Sequence, residues 1–289
     1  MCTHLYSQLT RCAFVVFFFT QRTYQTIVLY TIFDFITFMK STLRLIQALY
    51  SIYAILVFVV LMLLALPFIF LSLSLGIIRG GNLIYRWCKL WIRIWYQFIG
   101  LQHQAIFDGH YDVRQQYIFV ANHISYMDIP PALLAVKQPC RVLGKAEMAK
   151  YPIFGWIYKT AVIMVDRSSA AGRAKSVRAL KAALARGISI FIFPEGTFNE
   201  GSAPLKAFYD GAFRIAIETQ TPIKPMLFID TIDRLHYSSI LKATPGKNRV
   251  VYLETVPVTG LTLADVAQLK ESVYQLMDAG LRRYRNYPG

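Results

Sequence analysis

Residues 45–78 carry no charge at all. No other feature constrains the fold as much, because crossing a ~30 Å hydrocarbon core takes only about 20 apolar residues. A buried helix of a soluble protein would have to be covered on every side over that whole length. A membrane-inserted helix is therefore the expectation, crossing or folding back, with Pro67 marking a bend or an end. Lys40 and Arg44 precede the run, and Arg79, Arg86, Lys89 and Arg93 come after it. The heavier later flank places the rest of the chain at the cytoplasmic face of the membrane. Composition agrees: a hydrophobic content of 55% and a mean hydropathy of +0.41 both point to membrane contact.

Arg79-Gly80-Gly81 reads as a helix break. After it, Ile84, Trp87, Trp91, Trp95 and Phe98 recur at spacings of three and four, and Leu90 and Ile94 widen the stripe. Arg86, Lys89 and Arg93 fall on another face. Such a helix can lie in the membrane interface. An interfacial amphipathic helix is therefore the expectation; packing on the downstream domain is the alternative, and the two are compatible. Ahead of the long run, residues 14–20 are too short to span, Asp34 interrupts the next apolar stretch, and no small-residue cleavage site indicates a signal peptide. Met39-Lys40-Ser41 has the form of an initiator with a short basic leader, so the native start is expected at Met39. The chain thus divides into a tail over 1–44, membrane-anchoring helices over 45–100 and a folded domain over 101–289.

Within 101–289 the periodicity alternates. Residues 117–120, 188–193, 223–229 and 249–256 read as strands, and 173–186, 212–219 and 263–284 as helices. That alternation predicts an α/β fold, with a mixed, mostly parallel sheet and helices on both faces. In such sheets ligands bind outside the carboxyl ends of strands. Tyr117-Ile118-Phe119-Val120 leads into Asn122-His123, with Asp128 five residues beyond; the run over 188–193 leads into Pro194-Glu195-Gly196-Thr197. Imidazole titrates near neutrality, and a carboxylate can fix its tautomer, so His123 with Asp128 can form a general base. Ser125 and Asp128 also suit a helix start. The two readings agree, because a bend from loop to helix is what lets the side chains meet; on one continuous helix they would face apart. Glu195 can hold a substrate hydroxyl or brace its loop, and Gly196 allows close backbone approach to a ligand.

The net charge of +15 calls for an anionic partner, and residues 137–186 concentrate it, with eleven Lys or Arg against two acidic residues. Anionic lipid headgroups, phosphorylated acyl carriers and nucleic acid would all answer. No nucleic-acid motif is present, and the apolar N-terminal part favours lipid. Cys2, Cys12, Cys88 and Cys140 have neither disulfide-framework nor metal-site spacing, which fits a reducing compartment and no metal.

Taken together these residues resemble the glycerolipid acyltransferases typified by 1-acylglycerol-3-phosphate acyltransferase. The family's N-H-x-x-x-x-D block reads Asn122-His123-Ile124-Ser125-Tyr126-Met127-Asp128, and its F-P-E-G-T block reads Phe193-Pro194-Glu195-Gly196-Thr197. Between them Val162-Ile163-Met164-Val165-Asp166-Arg167 is similar to a strand ending in Asp-Arg, and Lys145 opens a segment similar to Lys-x-Glu-Leu. Thr221-Pro222-Ile223-Lys224-Pro225 resembles the fourth block. The resemblance implies a membrane enzyme moving a fatty acyl group from an acyl thioester, of coenzyme A or acyl carrier protein, to a lysophospholipid hydroxyl. Its first acceptor would be 1-acylglycerol 3-phosphate, giving phosphatidate, with membrane lipids as partners. His123 would be the general base and Asp128 its orienting carboxylate. Asn122, Lys145, Arg167, Glu195, Gly196 and Thr197 would bind substrate, with no metal and no further cofactor. The chemistry is consistent: a thioester already has a good leaving group, and a positioned base accelerates attack by a hydroxyl about 10²–10⁴-fold.

Two departures bear on the acceptor. Phe198-Asn199 stand where the family usually has Arg-Ser, and Tyr209 stands where it commonly has Lys. Arg167, Lys145 and Lys206 are the candidates to supply the missing charge. A different lyso-lipid acceptor, such as a lyso-aminolipid, is one alternative. A non-catalytic lipid-binding protein is another, against which the intact His123/Asp128 pair speaks.

Overall fold

The computed structural model describes residues 2–151, 154–165 and 169–285, with side chains from Phe33 onward apart from those of residues 77 and 170. Its contacts fall into two compact units, one ending at Leu49 and one running from Tyr50.

Helix α1 covers Cys2–Leu73. Its stretch Phe33–Leu73 is long and apolar enough, by length and composition, to cross a membrane. Pro67 lies inside the helix and does not end it. The chain turns at Ser74-Leu75 and enters α2 (Gly76–Phe98), so Gly80 and Gly81 are helical and the break expected at 79–81 is absent. Both glycines serve close packing. A Cβ on Gly80 would lie 2.2 Å from the Ser72 carbonyl oxygen, and one on Gly81 2.3 Å from the Arg141 guanidinium.

Part of the α2 stripe packs on protein, while Leu90 and Phe98 stay exposed, so the two readings open from sequence hold together. Ile84, Trp91 and Trp95 are buried, with Phe58 of α1 against both Trp91 and Trp95 at 4.4 and 5.1 Å between ring centres. Trp95 Nε1 donates to the Ala54 carbonyl (2.8 Å), and Tyr50 Oη donates to the Ile99 carbonyl (2.6 Å). Burying each such large apolar side chain stabilises by roughly 1.5–3 kcal/mol. An aromatic stripe gains that on an apolar helix as readily as in lipid.

The rest is an α/β sandwich, as the alternation predicts. In chain order it comprises β1 (Leu101–Phe107), β2 (Ile118–Ala121), α3 (Ile129–Ala135), β3 (Cys140–Lys145), α4 (Phe154–Ala161), β4 (Val162–Val165), α5 (Ala170–Leu184), β5 (Ser189–Ile192), α6 (Gly211–Thr219), β6 (Ile223–Phe228), α7 (Thr231–Arg234), β7 (Gly246–Tyr252) and α8 (Val266–Arg285). The seven strands form one sheet in the order β1-β7-β6-β2-β5-β3-β4. Every pairing is parallel except β6 with β7. The central β2, β5 and β6 are buried at every position, the signature of parallel strands covered on both faces. The last strand begins at Gly246, earlier than the expected 249, because β1 pairs with it from Leu101↔Gly246 onward. Val256 keeps only an isolated bridge to Ile223.

Parallel register sets the site. Ile118 pairs with Ile190 and Val120 with Ile192. The loops leaving β2 and β5 therefore emerge side by side at the carboxyl edge, although their motifs are about seventy residues apart in sequence.

Candidate active site

At the end of β2 the side chain of Asn122 continues the sheet in place of backbone. Its Nδ2 donates to the Phe228 carbonyl (3.0 Å), and the Phe228 N–H donates to its Oδ1 (2.8 Å). Both ends of this buried amide are committed to β6, so among the expected ligand residues Asn122 is placed as a strand terminator. The chain is then free to leave the sheet at His123.

His123 meets Asp128 at once. Ser125 caps the short 3₁₀ turn Tyr126–Asp128, accepting from the Met127 N–H at 2.9 Å. That turn brings Asp128 back beneath the loop. Asp128 Oδ2 then takes three hydrogen bonds, from His123 Nδ1 (2.8 Å), the Ile124 N–H (2.8 Å) and the Ser125 N–H (2.9 Å). Its other oxygen, Oδ1, is buried without a partner among the described residues. The helix start and the His123–Asp128 contact are thus one structure. With Nδ1 held on a carboxylate, a neutral imidazole has its lone pair on Nε2. The His123 side chain keeps 18% of its surface exposed, while that of Asp128 has none.

The F-P-E-G-T loop from β5 closes around the same ring. Phe193 stacks on His123 at 4.0 Å and 17°, and Phe198 meets it edge-on at 4.4 Å. Phe198 also meets Tyr126 edge-on, at 4.7 Å. Glu195 is 2% exposed. Its Oε1 accepts the His123 N–H (2.7 Å) and its Oε2 the Lys206 N–H (2.8 Å). Of the two roles open to Glu195, the structure shows the brace. Burial pushes its carboxyl up to about 7, although the two N–H groups oppose the shift. The Asn199 N–H donates to the His123 carbonyl at 2.7 Å, so the two loops are joined on both sides of His123. Gly196 has φ +74°, which a residue with a side chain adopts only under strain, and its N–H is spent on the Phe193 carbonyl.

Thr197 is exposed, and Lys206 Nζ donates to its Oγ1 at 2.9 Å. Of the two candidate cations among the described residues, Lys145 and Lys206, the latter is the one held at this loop. It lines an open groove of about 470 Å³ that shares Phe198 with the His123 ring. Lys145 ends β3 on the same edge of the sheet with its side chain exposed. Arg167 and Asp166 lie outside the described residues. Lys224, in the fourth block, is fully buried and donates to the carbonyls of His110 and Leu253. The contacts that sequence reasoning missed are those of Phe193, Phe198 and Asn199 with His123. The motif spacing gave no signal for them, because they depend on parallel pairing of β2 with β5.

Residues 104–229 match the Acyltransferase family. The lyso-ornithine lipid O-acyltransferase of Pseudomonas aeruginosa is 31% identical over 179 residues, covering 56% of this chain and 68% of that one. The human 1-acyl-sn-glycerol-3-phosphate acyltransferase alpha is 29% identical over 216 residues, covering 72% and 74%. The crystal structure of the 1-acyl-sn-glycerophosphate acyltransferase PlsC from Thermotoga maritima superposes with a TM-score of 0.64 over 83% of this chain and 95% of that one; at 21% identity the likeness is one of fold. On these likenesses the chain belongs to the glycerolipid acyltransferase family and is an acyl-transferring enzyme.

Proposed function

We propose that the chain moves a fatty acyl group from an acyl thioester, of coenzyme A or acyl carrier protein, to the free hydroxyl of a lysophospholipid, with 1-acylglycerol 3-phosphate as acceptor and phosphatidate as product. The observation that carries this reading is the 2.8 Å contact of His123 Nδ1 with a buried Asp128 that two backbone N–H groups also hold. The acceptor hydroxyl gives its proton to His123 Nε2 as its oxygen attacks the thioester carbonyl. The carbon–sulfur bond then breaks, and the departing thiolate recovers the proton from Nε2. Asp128 stabilises the imidazolium between the two steps, and no acyl-enzyme is required. Lys206, Thr197 and Lys145 are proposed to face the acceptor headgroup. Asn122, Glu195 and Gly196 act by shaping the loops. Helix α1 is proposed to anchor the enzyme in the membrane, with the domain at its cytoplasmic face.

A lyso-aminolipid acceptor is the second reading. It is favoured by Phe198, an aromatic ring where the family usually has Arg, and by the likeness to a lyso-ornithine lipid enzyme. Purified protein in detergent, given one acyl donor and a panel of lyso-acceptors, decides between them by the ranking of kcat/KM. His123→Ala should lower turnover on the best acceptor about 10²–10⁴-fold with the fold intact. Near-normal turnover in that variant would remove the mechanism.

A further inference from the structure

Trp91 and Trp95 of α2 are spent on α1, and a second surface shows aromatic rings beside lysines. Around α4 and the short 3₁₀ helix Ala146–Lys150, Met148, Tyr151 and Trp156 are 38%, 60% and 52% exposed. Gly155 and Ile157 take the inner face of α4, which turns Trp156 and Lys159, three residues apart, to the outer face together. Lys150 is exposed next to Tyr151. The Trp156 ring lies 5.4 Å from Phe70 of α1, in edge geometry. Phe70 neighbours Leu71, which is 72% exposed within the stretch apolar enough to span. The apolar surface of α1 is therefore joined to this face by a direct ring contact.

Glu147 is exposed on the same 3₁₀ helix, between Ala146 and Met148, but the groove beyond is basic. Beyond Lys159 lies a groove of about 550 Å³ between α4, β4 and α5, whose charged lining residues are Arg141, Lys159, Lys175 and Arg186, with no carboxylate among the described residues. Trp and Tyr rings, apolar in body and polar at one edge, favour the boundary between headgroups and acyl chains. Lysines beside them favour anionic headgroups.

We propose that Met148, Lys150, Tyr151, Trp156 and Lys159 form a second membrane contact, seated on anionic phospholipid headgroups next to α1. The proposal rests on the reading of α1 as a membrane helix, and the test separates the two. Trp156 is the one tryptophan in the exposed class; Trp91 and Trp95 are buried and Trp87 is half-buried. Its fluorescence can therefore be isolated by subtracting Trp156→Phe from the wild type, each as full chain in bilayer nanodiscs of phosphatidylcholine with or without phosphatidylglycerol. Lipids brominated just below the headgroup should quench the Trp156 signal, iodide in the water should not, and phosphatidylglycerol should strengthen the lipid quenching. The double variant Lys150→Glu/Lys159→Glu, which keeps Trp156, should lose that strengthening. A Trp156 signal open to iodide and untouched by brominated lipid would overturn the proposal, as would quenching indifferent to both phosphatidylglycerol and the lysine changes. Alkaline carbonate extraction reports on α1 alone. Release of the wild type there, with Trp156 still lipid-quenched on anionic vesicles, would sink the anchor and leave this face standing.

Discussion

Replacing Asp128 by Asn tests how the dyad works, because only one of its oxygens is in use. Oδ2 accepts from His123 Nδ1, Ile124 N and Ser125 N, while Oδ1 is buried without a partner among the described residues. An Asn in the same rotamer can put its oxygen at the Oδ2 position and its NH₂ group in the other. All three donors stay satisfied, and His123 keeps its tautomer. What disappears is the negative charge facing the imidazolium. At an effective dielectric of about 20, a unit charge ~4 Å away is worth about 4 kcal/mol. A transition state with the proton half transferred would lose about half of that, ~2 kcal/mol, which is about 30-fold in rate. The expected result is a kcat lowered roughly 10–100-fold, a nearly unchanged KM for the lyso-acceptor, and a thermal midpoint moved by only a few degrees. Initial rates of thiol release and thermal unfolding in detergent give all three numbers. Asp128→Ala should behave differently, since it strands buried donors at about 1–3 kcal/mol each and should destabilise the fold outright. A kcat for Asp128→Asn as low as that for His123→Ala would refute this reasoning, because it would mean that the amide turns its NH₂ toward the imidazole and the tautomer is lost.

Glu195 should make stability depend on pH. Its carboxyl is raised to about 7 in the folded protein, so the folded state holds the proton more tightly than the unfolded one. The associated stability is fully present below the unfolded value and is lost as pH rises through about 7, on the order of 3 kcal/mol. Glu195→Gln removes that slope but leaves one of the two N–H donors without its acceptor. The wild type should unfold at the higher temperature at pH 5, and the gap should shrink by pH 8; a gap independent of pH would show that Glu195 does not titrate there. Phe198→Arg restores the family's cation beside His123, and it should lower KM for 1-acylglycerol 3-phosphate by about 3–10-fold while leaving a zwitterionic acceptor unaffected. Equal effects on the two acceptors would place the headgroup elsewhere.

Much of the fold could be read because the central strands advertise themselves. Runs such as 117–120 and 188–193 are apolar throughout, as parallel strands buried on both faces must be. Each ends in the polar residues that build the site. The flanking strands are quieter. In β1, Gln102, His103 and Gln104 interrupt the apolar signal, and only Leu101 is buried, so its bounds carry no clear periodicity. Gly80 and Gly81 illustrate a different limit. A glycine pair beside an apolar run looks like a stop, yet here both are helical and serve close contacts with Ser72 and Arg141. The α2 stripe is similar: its amphipathicity was visible, but periodicity does not say whether an apolar face meets lipid or protein. Asn122 counts among the ligands only through the N-H-x-x-x-x-D resemblance, and its pairing with Phe228 depends on a strand more than a hundred residues away.

The double link between the two loops has a consequence for how this enzyme can change. His123 hangs from the β5 loop by both of its backbone groups, its N–H on Glu195 and its carbonyl on Asn199. The proposed base and the segment proposed to meet the headgroup are therefore tied together by two hydrogen bonds. A headgroup that tilts residues 197–206 also tilts the imidazole, so a poor fit would register as slow turnover as well as weak binding. Altered acceptor preference should accordingly arise most readily through side chains that leave these two backbone bonds in place. Insertions or deletions within the loop would misalign the base before they taught it a new partner.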